Sequence, residues 1–310
     1  MACYLQALKS IMRLQRTIKK ETTFYGIGLH TGKYATVKLK PASRDTGIIF
    51  YRVDKGAIIR ANIGSVIDTA FATTIGFVNG SDVVKIKTVE HLLAAIAGLG
   101  IDNLIVEVDG PEIPILDGSS TQLVGIILDA GIAKQGKKMP YIKIKKPIVY
   151  EDAYSRIIVL PYDGVRISYC INFGHRILGQ QELSIDINEK TFVQEIAPAR
   201  TFGFLSDVEK LRANGLAKGG SLDNAVIVGD NGILNDAGLR FEDEFVRHKV
   251  LDSIGDLSLI GFPIQGHIML EKAGHTANIN FLKKLITSVD SYSLISSEVD
   301  HLPNHVLNYN

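Results

Sequence analysis

The sequence contains no tryptophan and only two cysteines, Cys3 and Cys170, among its 310 residues. Two thiols are too few for a disulfide framework or a thiolate zinc site. This fits a reducing compartment and leaves histidine and carboxylate as the ligands for any metal. An excess of charge of either sign is missing as well: 34 Lys and Arg stand against 33 Asp and Glu, a net charge of +1. Such a balance gives no overall field toward nucleic acid or an anionic membrane surface. No apolar run approaches the roughly 20 residues of a spanning helix. The start, MACYLQALKSIMRLQRTIKK, is mildly basic but has neither the unbroken apolar stretch nor the small-residue cleavage site of a signal peptide. These absences predict a cytoplasmic protein with no nucleic-acid partner and no transmembrane segment, and we read it as a monomer. Residues 1–11 read as loosely tied to the rest of the chain, with Met12 as an alternative start.

What is present is an ordinary globular composition, 46% hydrophobic and 22% charged, at a length that favours two domains. Gly26, Gly28 and Gly32 mark a turn. Ala35, Val37 and Leu39 then alternate with Thr36, Lys38 and Lys40, the period of a half-buried strand. Strands are expected at 47–53, 72–78, 83–87 and 103–109, a buried helix from His91 to Gly98, and a helix at 120–130. The polar run Gln135–Pro140 reads as a boundary between domains 12–136 and 137–310. Beyond it come strands near 141–148, 155–160 and 165–172, a helix at 188–197 capped by Asn188, and a small helix at 206–213. A strand at 224–229 turns at Asp230-Asn231-Gly232. A long helix at 242–260, a strand at 265–271 and a helix at 276–286 come next, and no pattern persists after about 288. Each half closes on a helix with a histidine, a strand, a glycine turn and another helix. That order predicts an α+β fold of two similar domains, each a β-sheet with helices packed on one face, with the active site in the interdomain cleft.

The chemistry concentrates on the 242–260 helix. His248, Asp252 and Asp256 recur every four residues and form one row, with Val246, Val250, Ile254 and Leu257 on another. An imidazole and a carboxylate one turn apart can bind the same metal ion, and a second carboxylate can orient a further group. His91, after Glu90 at the mouth of a buried helix, would complete three ligands and leave a fourth position open, as catalytic zinc sites do. Glu90 then reads as general base. His275, in a glycine turn, reads as general acid if Asp256 holds it protonated, and Thr201 as the hydroxyl near a developing oxyanion. His30 in its glycine turn and His267 in a strand read as structural, while His301 and His305 fall in the unpatterned tail. A metal-stabilised binding module and a zinc amidase for another acylated amine are the competing readings.

Several segments resemble the signature stretches of the UDP-3-O-acyl-N-acetylglucosamine deacetylases: Thr88–Leu92, Ala199–Phe204, Arg240–Asp252 and Gly274-His275, with Gly28–Gly32 and Ile113–Ser119. The resemblance runs from about residue 14 to about 282. It implies a zinc-dependent hydrolase that removes acetate from the 2-acetamido group of UDP-3-O-acyl-N-acetylglucosamine, the committed step of lipid A synthesis. By that likeness His91, His248 and Asp252 hold Zn²⁺, with Fe²⁺ as an alternative occupant. Glu90 is the base, His275 the acid with Asp256 as partner, and Thr201 the oxyanion-side donor. Phe202 and Lys249 would line the sugar-diphosphate region. An insert at about 203–229 would form a passage for the acyl chain, lined by Leu205, Val208, Ala217, Leu222 and Ile227. Phe173-Gly174-His175-Arg176 departs from the family's Phe-Asp-His-Pro, and no dehydratase-like second enzyme is appended.

Overall fold

The computed structural model describes residues 12–297. Residues 1–11 with Cys3, and the part of the tail that carries His301 and His305, lie outside the described residues. In the first half, five strands form one sheet in the order Thr22–Ile27, Tyr34–Pro41, Leu104–Val108, Ile48–Arg52, Ala57–Arg60. The alternation at 35–40 holds: Ala35, Val37 and Leu39 are buried, as are Leu104, Val106 and Val108 beside them. Helices α1 (Glu90–Gly98) and α2 (Thr121–Ala130) carry the apolar residues that close this core.

In the second half the sheet runs Ile148–Glu151, Arg156–Leu160, Ile264–Glu271, Val165–Asn172, Gln180–Asp186. Here the helices are α3 (Leu205–Ala213), α4 (Glu244–Ser258) and α5 (His275–Thr287). The two halves repeat one topology: two hairpins, a helix, a central strand, a helix. In each, the central strand is antiparallel to the first hairpin and parallel to the second. A parallel pair needs a long crossover, which α1 and α4 supply. Each half also carries an insert before that crossover helix. One is the three-stranded sheet Val66–Asp68, Thr74–Asn79, Asp82–Ile86, and the other is Phe202–Phe204, Val226–Gly229, Gly232–Ile233 together with α3. Helices α1 and α4 pack directly on each other, so the two cores merge at this crossing.

Some expectations are corrected. The polar stretch 135–140, where the domain boundary was placed, lies mostly in a strand, Ile132–Lys138, which pairs with Leu14–Ile18. The buried positions of Leu14–Ile18 include the polar Gln15 and Thr17, and Ile132–Lys138 has no buried residue, so neither strand shows a hydrophobic period. Gln180–Asp186 was overlooked for the same reason, having no buried residue. The expected helix at 188–197 is one α-helical turn, Glu189–Thr191, followed by a π turn, Phe192–Ile196. Asn188 does cap it, accepting from the backbone of Lys190 and Thr191. The tail after 288 is patterned as far as Tyr292–Ile295, a strand on Tyr141–Ile144 too short to reveal a period.

Candidate metal centre

The site begins with strained backbone. Thr88 adopts φ of 59° immediately before α1, a conformation that a β-branched residue rarely takes. Its hydroxyl donates to Glu112 at 2.7 Å. The buried Glu112 also accepts from the backbone of His30 and Thr31 at 2.9 and 2.7 Å. One carboxylate thus ties the Gly28–Gly32 turn to the start of α1, and Glu90 and His91 open toward the cleft.

On α4 almost the whole helix is buried, including His248, Asp252 and Asp256. The polar row is therefore not a solvated face. Glu244, in the first turn, binds Arg200 through its backbone N–H at 3.0 Å and its Nε at 2.8 Å. This clamp fixes the 199–201 loop, whose Ala199 carbonyl lies 3.1 Å from His248 Nδ1. With Nδ1 so placed, His248 turns Nε2 into the cleft.

His248 Nε2 and His91 Nε2 lie 3.3 and 3.4 Å from Asp252 Oδ1, and the two imidazoles meet edge to face with centroids 4.9 Å apart. One ligand atom from each of the three residues lies within 4.8 Å of the others. Asp252 Oδ1 is buried with no hydrogen-bond partner, while Lys249 Nζ occupies Oδ2 at 2.6 Å. Ligands about 2.05 Å from a tetrahedral zinc ion stand about 3.3 Å from one another, so the spacing around Oδ1 fits such an ion. The protonation states fit too. Burial drives the His248 pKa down to about 3, leaving a neutral imidazole. Burial favours protonation of Asp252, but the Lys249 ammonium at Oδ2 outweighs it and holds the carboxyl well below its ordinary range.

Opposite these residues stand Glu90 and His275, with His275 Nε2 3.9 Å from Glu90 Oε1. Burial raises the Glu90 pKa. Burial disfavours the His275 imidazolium, yet the charge and hydrogen bond of Asp256, helped by Glu90, raise its pKa to about 9. His275 Nδ1 is 2.8 Å from Asp256 Oδ2, which also accepts from Asn278 Nδ2 at 2.9 Å. Thr73 joins the two sides: its backbone N–H donates to Glu90 at 3.0 Å and its hydroxyl to Asp256 at 2.6 Å.

These groups line a cavity of about 320 Å³, which also takes in Thr201, Phe202 and Lys249. Lys249 Nζ lies 5.8 Å from the centroid of the Phe202 ring. Asp256 stands behind His275. The insert reaches the cavity through Gly203, Phe204, Asp207 and Leu211; the five residues expected to line an acyl passage are not on this wall. Leu205 and Leu222 are about half exposed, and Val208, Ala217 and Ile227 lie off the cavity wall. On α3 no residue is buried, so sequence polarity could not indicate which side faces the site. Sequence reasoning also missed His30 and Phe71, both on the wall. His30 is buried with neither ring nitrogen hydrogen-bonded, which a glycine turn does not signal. His267 bonds Ser168 within its sheet at 2.8 Å, as a structural residue does. A second cavity, of about 760 Å³, lies at the C-terminal ends of α1 and α4 and contains none of these groups.

Comparison with known proteins bears on this geometry. The family model described as "LpxC: UDP-3-O-acyl N-acetylglycosamine deacetylase" matches residues 15–287. The UDP-3-O-acyl-N-acetylglucosamine deacetylase of Thermodesulfovibrio yellowstonii is 54% identical over 275 residues, covering 89% of this chain and 92% of that protein. The same-named protein of Oleidesulfovibrio alaskensis is 48% identical over 280 residues, 90% of each chain. That of Syntrophotalea carbinolica is 46% identical over 288 residues, 92% of each. With Glu90, His91, His248, Asp252 and His275 all inside the matched span, this chain belongs to the UDP-3-O-acyl N-acetylglycosamine deacetylase family.

Proposed function

We propose that this protein is a zinc-dependent amide hydrolase that releases acetate from the 2-acetamido group of UDP-3-O-acyl-N-acetylglucosamine, the committed step of lipid A biosynthesis. The observation that carries the reading is a single cavity in which an open His₂Asp cluster faces a buried carboxylate and an imidazolium. His91, His248 and Asp252 would hold the metal, zinc first and iron(II) as an alternative in the same donor set. Bound there, the ion supplies Lewis-acid polarisation of water and of the amide carbonyl.

The rest is done by the chain. Glu90, ionised, accepts the proton of the attacking water. Thr201 donates a hydrogen bond to the oxygen that gains charge as the carbonyl becomes tetrahedral. His275, kept protonated by Asp256, gives its proton to the departing amine nitrogen, and the C–N bond breaks. Phe202 and Lys249 offer an aromatic face and a cation to the sugar diphosphate. Phe204 and Leu211 are our candidates for acyl contact, in place of Leu205, Val208, Ala217, Leu222 and Ile227.

In this reading the unit 12–136 brings the base and one ligand, and the unit 137–310 brings two ligands, the acid and the insert. We further propose that the enzyme is a cytoplasmic monomer. Among the described residues no helix is long and apolar enough to cross a membrane, and Cys170 is a free thiol. The test is acetate release from the UDP-acyl-sugar before chelation, after it, and after zinc add-back. Undiminished turnover by metal-free protein, or none at any stage, would sink the reading.

A further inference from the structure

We propose that Gly255 is a positioning residue that sets the separation of the two halves of the metal centre. This rests on the roles given above to Glu90, His91, His248 and Asp252. Gly255 is buried on α4, between Asp252 and Asp256. A Cβ at this position would stand 2.1 Å from the Glu90 carbonyl oxygen, 2.8 Å from its carbonyl carbon and 3.0 Å from its Cα. All three obstacles are backbone of the first turn of α1, so no change of rotamer relieves them. Close carbon–oxygen contacts settle at about 3.3–3.6 Å, so any side chain would push the start of α1 from α4 by roughly 1 Å.

The site tolerates much less. Metal–ligand distances are held within about 0.2 Å and catalytic groups within about 0.5 Å. A misplacement of about 1 Å costs on the order of 10²-fold in rate. The base Glu90 and the ligand His91 ride on that first turn of α1, whereas His248, Asp252 and Asp256 ride on α4. The absent side chain therefore acts as the spacer between them. Gly98, at the far end of α1 from Glu90 and His91, makes a natural control: its Cβ would meet the buried Phe192 ring at 2.2 Å, a comparably tight clash but with a side chain outside the metal centre.

Gly255→Ala and Gly98→Ala, each in the full chain, separate positioning from packing. The readouts are far-UV circular dichroism, Tm, zinc and cadmium Kd by chelator competition on apo protein, and kcat and KM for acetate release. Gly255→Ala is expected to fold, to bind zinc about 10–100-fold more weakly, and to shift its preference toward the larger cadmium ion. Its kcat should fall about 10²-fold while KM stays within about threefold. Gly98→Ala is expected to lose Tm but to keep metal Kd and kcat within about twofold. A folded Gly255→Ala protein with wild-type zinc Kd and kcat overturns the proposal. So does a Gly255→Ala chain that cannot fold, because the claim is that the fold tolerates the displacement and the site does not. Equal losses in Gly98→Ala would likewise reduce the effect to packing. Wild-type protein that binds zinc but releases no acetate refutes the proposed substrate instead, and leaves the Kd comparison to judge Gly255.

Discussion

Helices α1 and α4 occupy corresponding places in the two halves and are built on opposite plans. In α1 the polar residues are confined to the first turn, Glu90 and His91, and Leu92–Ile96 is entirely apolar and buried. In α4 the polar residues His248, Asp252, Ser253 and Asp256 run along the buried middle, and both rows of the helix are enclosed. The tip of one helix thus lies over the middle of the other, and three carboxylates face one ammonium and one imidazolium. The second helices differ as sharply. α5 begins with His275 against Asp256, whereas α2 begins with Thr121 after Ser120, whose hydroxyl only bonds the His91 carbonyl at 2.9 Å. A repeated fold therefore does not imply a repeated site. The symmetry supplies the crossing, and the unequal placement of polar residues supplies the chemistry.

Breaking the α4 side of this comparison should have the largest effect. Asp252→Ala removes the oxygen that faces both imidazoles, and bound metal should drop well below one per chain with activity lost. Elemental analysis after gel filtration checks this, and full occupancy would remove Asp252 from the ligand set. The α1 side should respond differently. Glu90→Ala should lower kcat by about 10²–10⁴-fold at unchanged metal content, measured by acetate release alongside the same analysis.

The pH profile sharpens the contrast further. In the proposed mechanism His275 acts protonated, and its pKa is raised to about 9, so activity should hold below that pH and fall as pH rises through it. Asp256→Asn removes the charge that raises it, and the basic limb of kcat/KM should move to lower pH; a limb that stays in place would detach Asp256 from the acid. The same mechanism assigns the acidic limb to Glu90, which acts ionised and whose pKa burial raises, so activity should fall as pH falls toward it.

Away from the reacting atoms, Glu244→Ala would leave the buried Arg200 guanidinium unpaired. Stability should drop by about 3–5 kcal/mol in urea unfolding. The smallest effect concerns the insert. Leu211→Ala should raise KM for the acylated substrate about tenfold, whereas Leu205→Ala, at a half-exposed position, should change it less than about twofold. The reverse order would restore the passage expected from sequence.

The repeated closing order of helix, strand, glycine turn and helix was legible because long elements with buried faces leave a period. So was the row His248, Asp252, Asp256, since i, i+4 spacing is local geometry. The ribbon 14–18 with 132–138, the edge strand 180–186 and the π turn were not, because they bury too little or depend on partners far along the chain. The place of His30 on the cavity wall was not legible for a related reason: a turn motif says where the backbone bends but not what its side chain is buried against.

By itself, then, the sequence determined the candidate ligands, the residues proposed as base and acid, the α+β class and, through resemblance, the family. Only the tertiary structure decided that His91 lies 3.4 Å from Asp252, that Thr73 bridges Glu90 and Asp256, and that Leu211 rather than Leu205 faces the cavity. The contacts of His91 with Asp252 and of Thr73 with Asp256 join residues more than 150 positions apart. No local period encodes them, and the close approach at Gly255 that permits them is marked in the sequence only by a missing side chain.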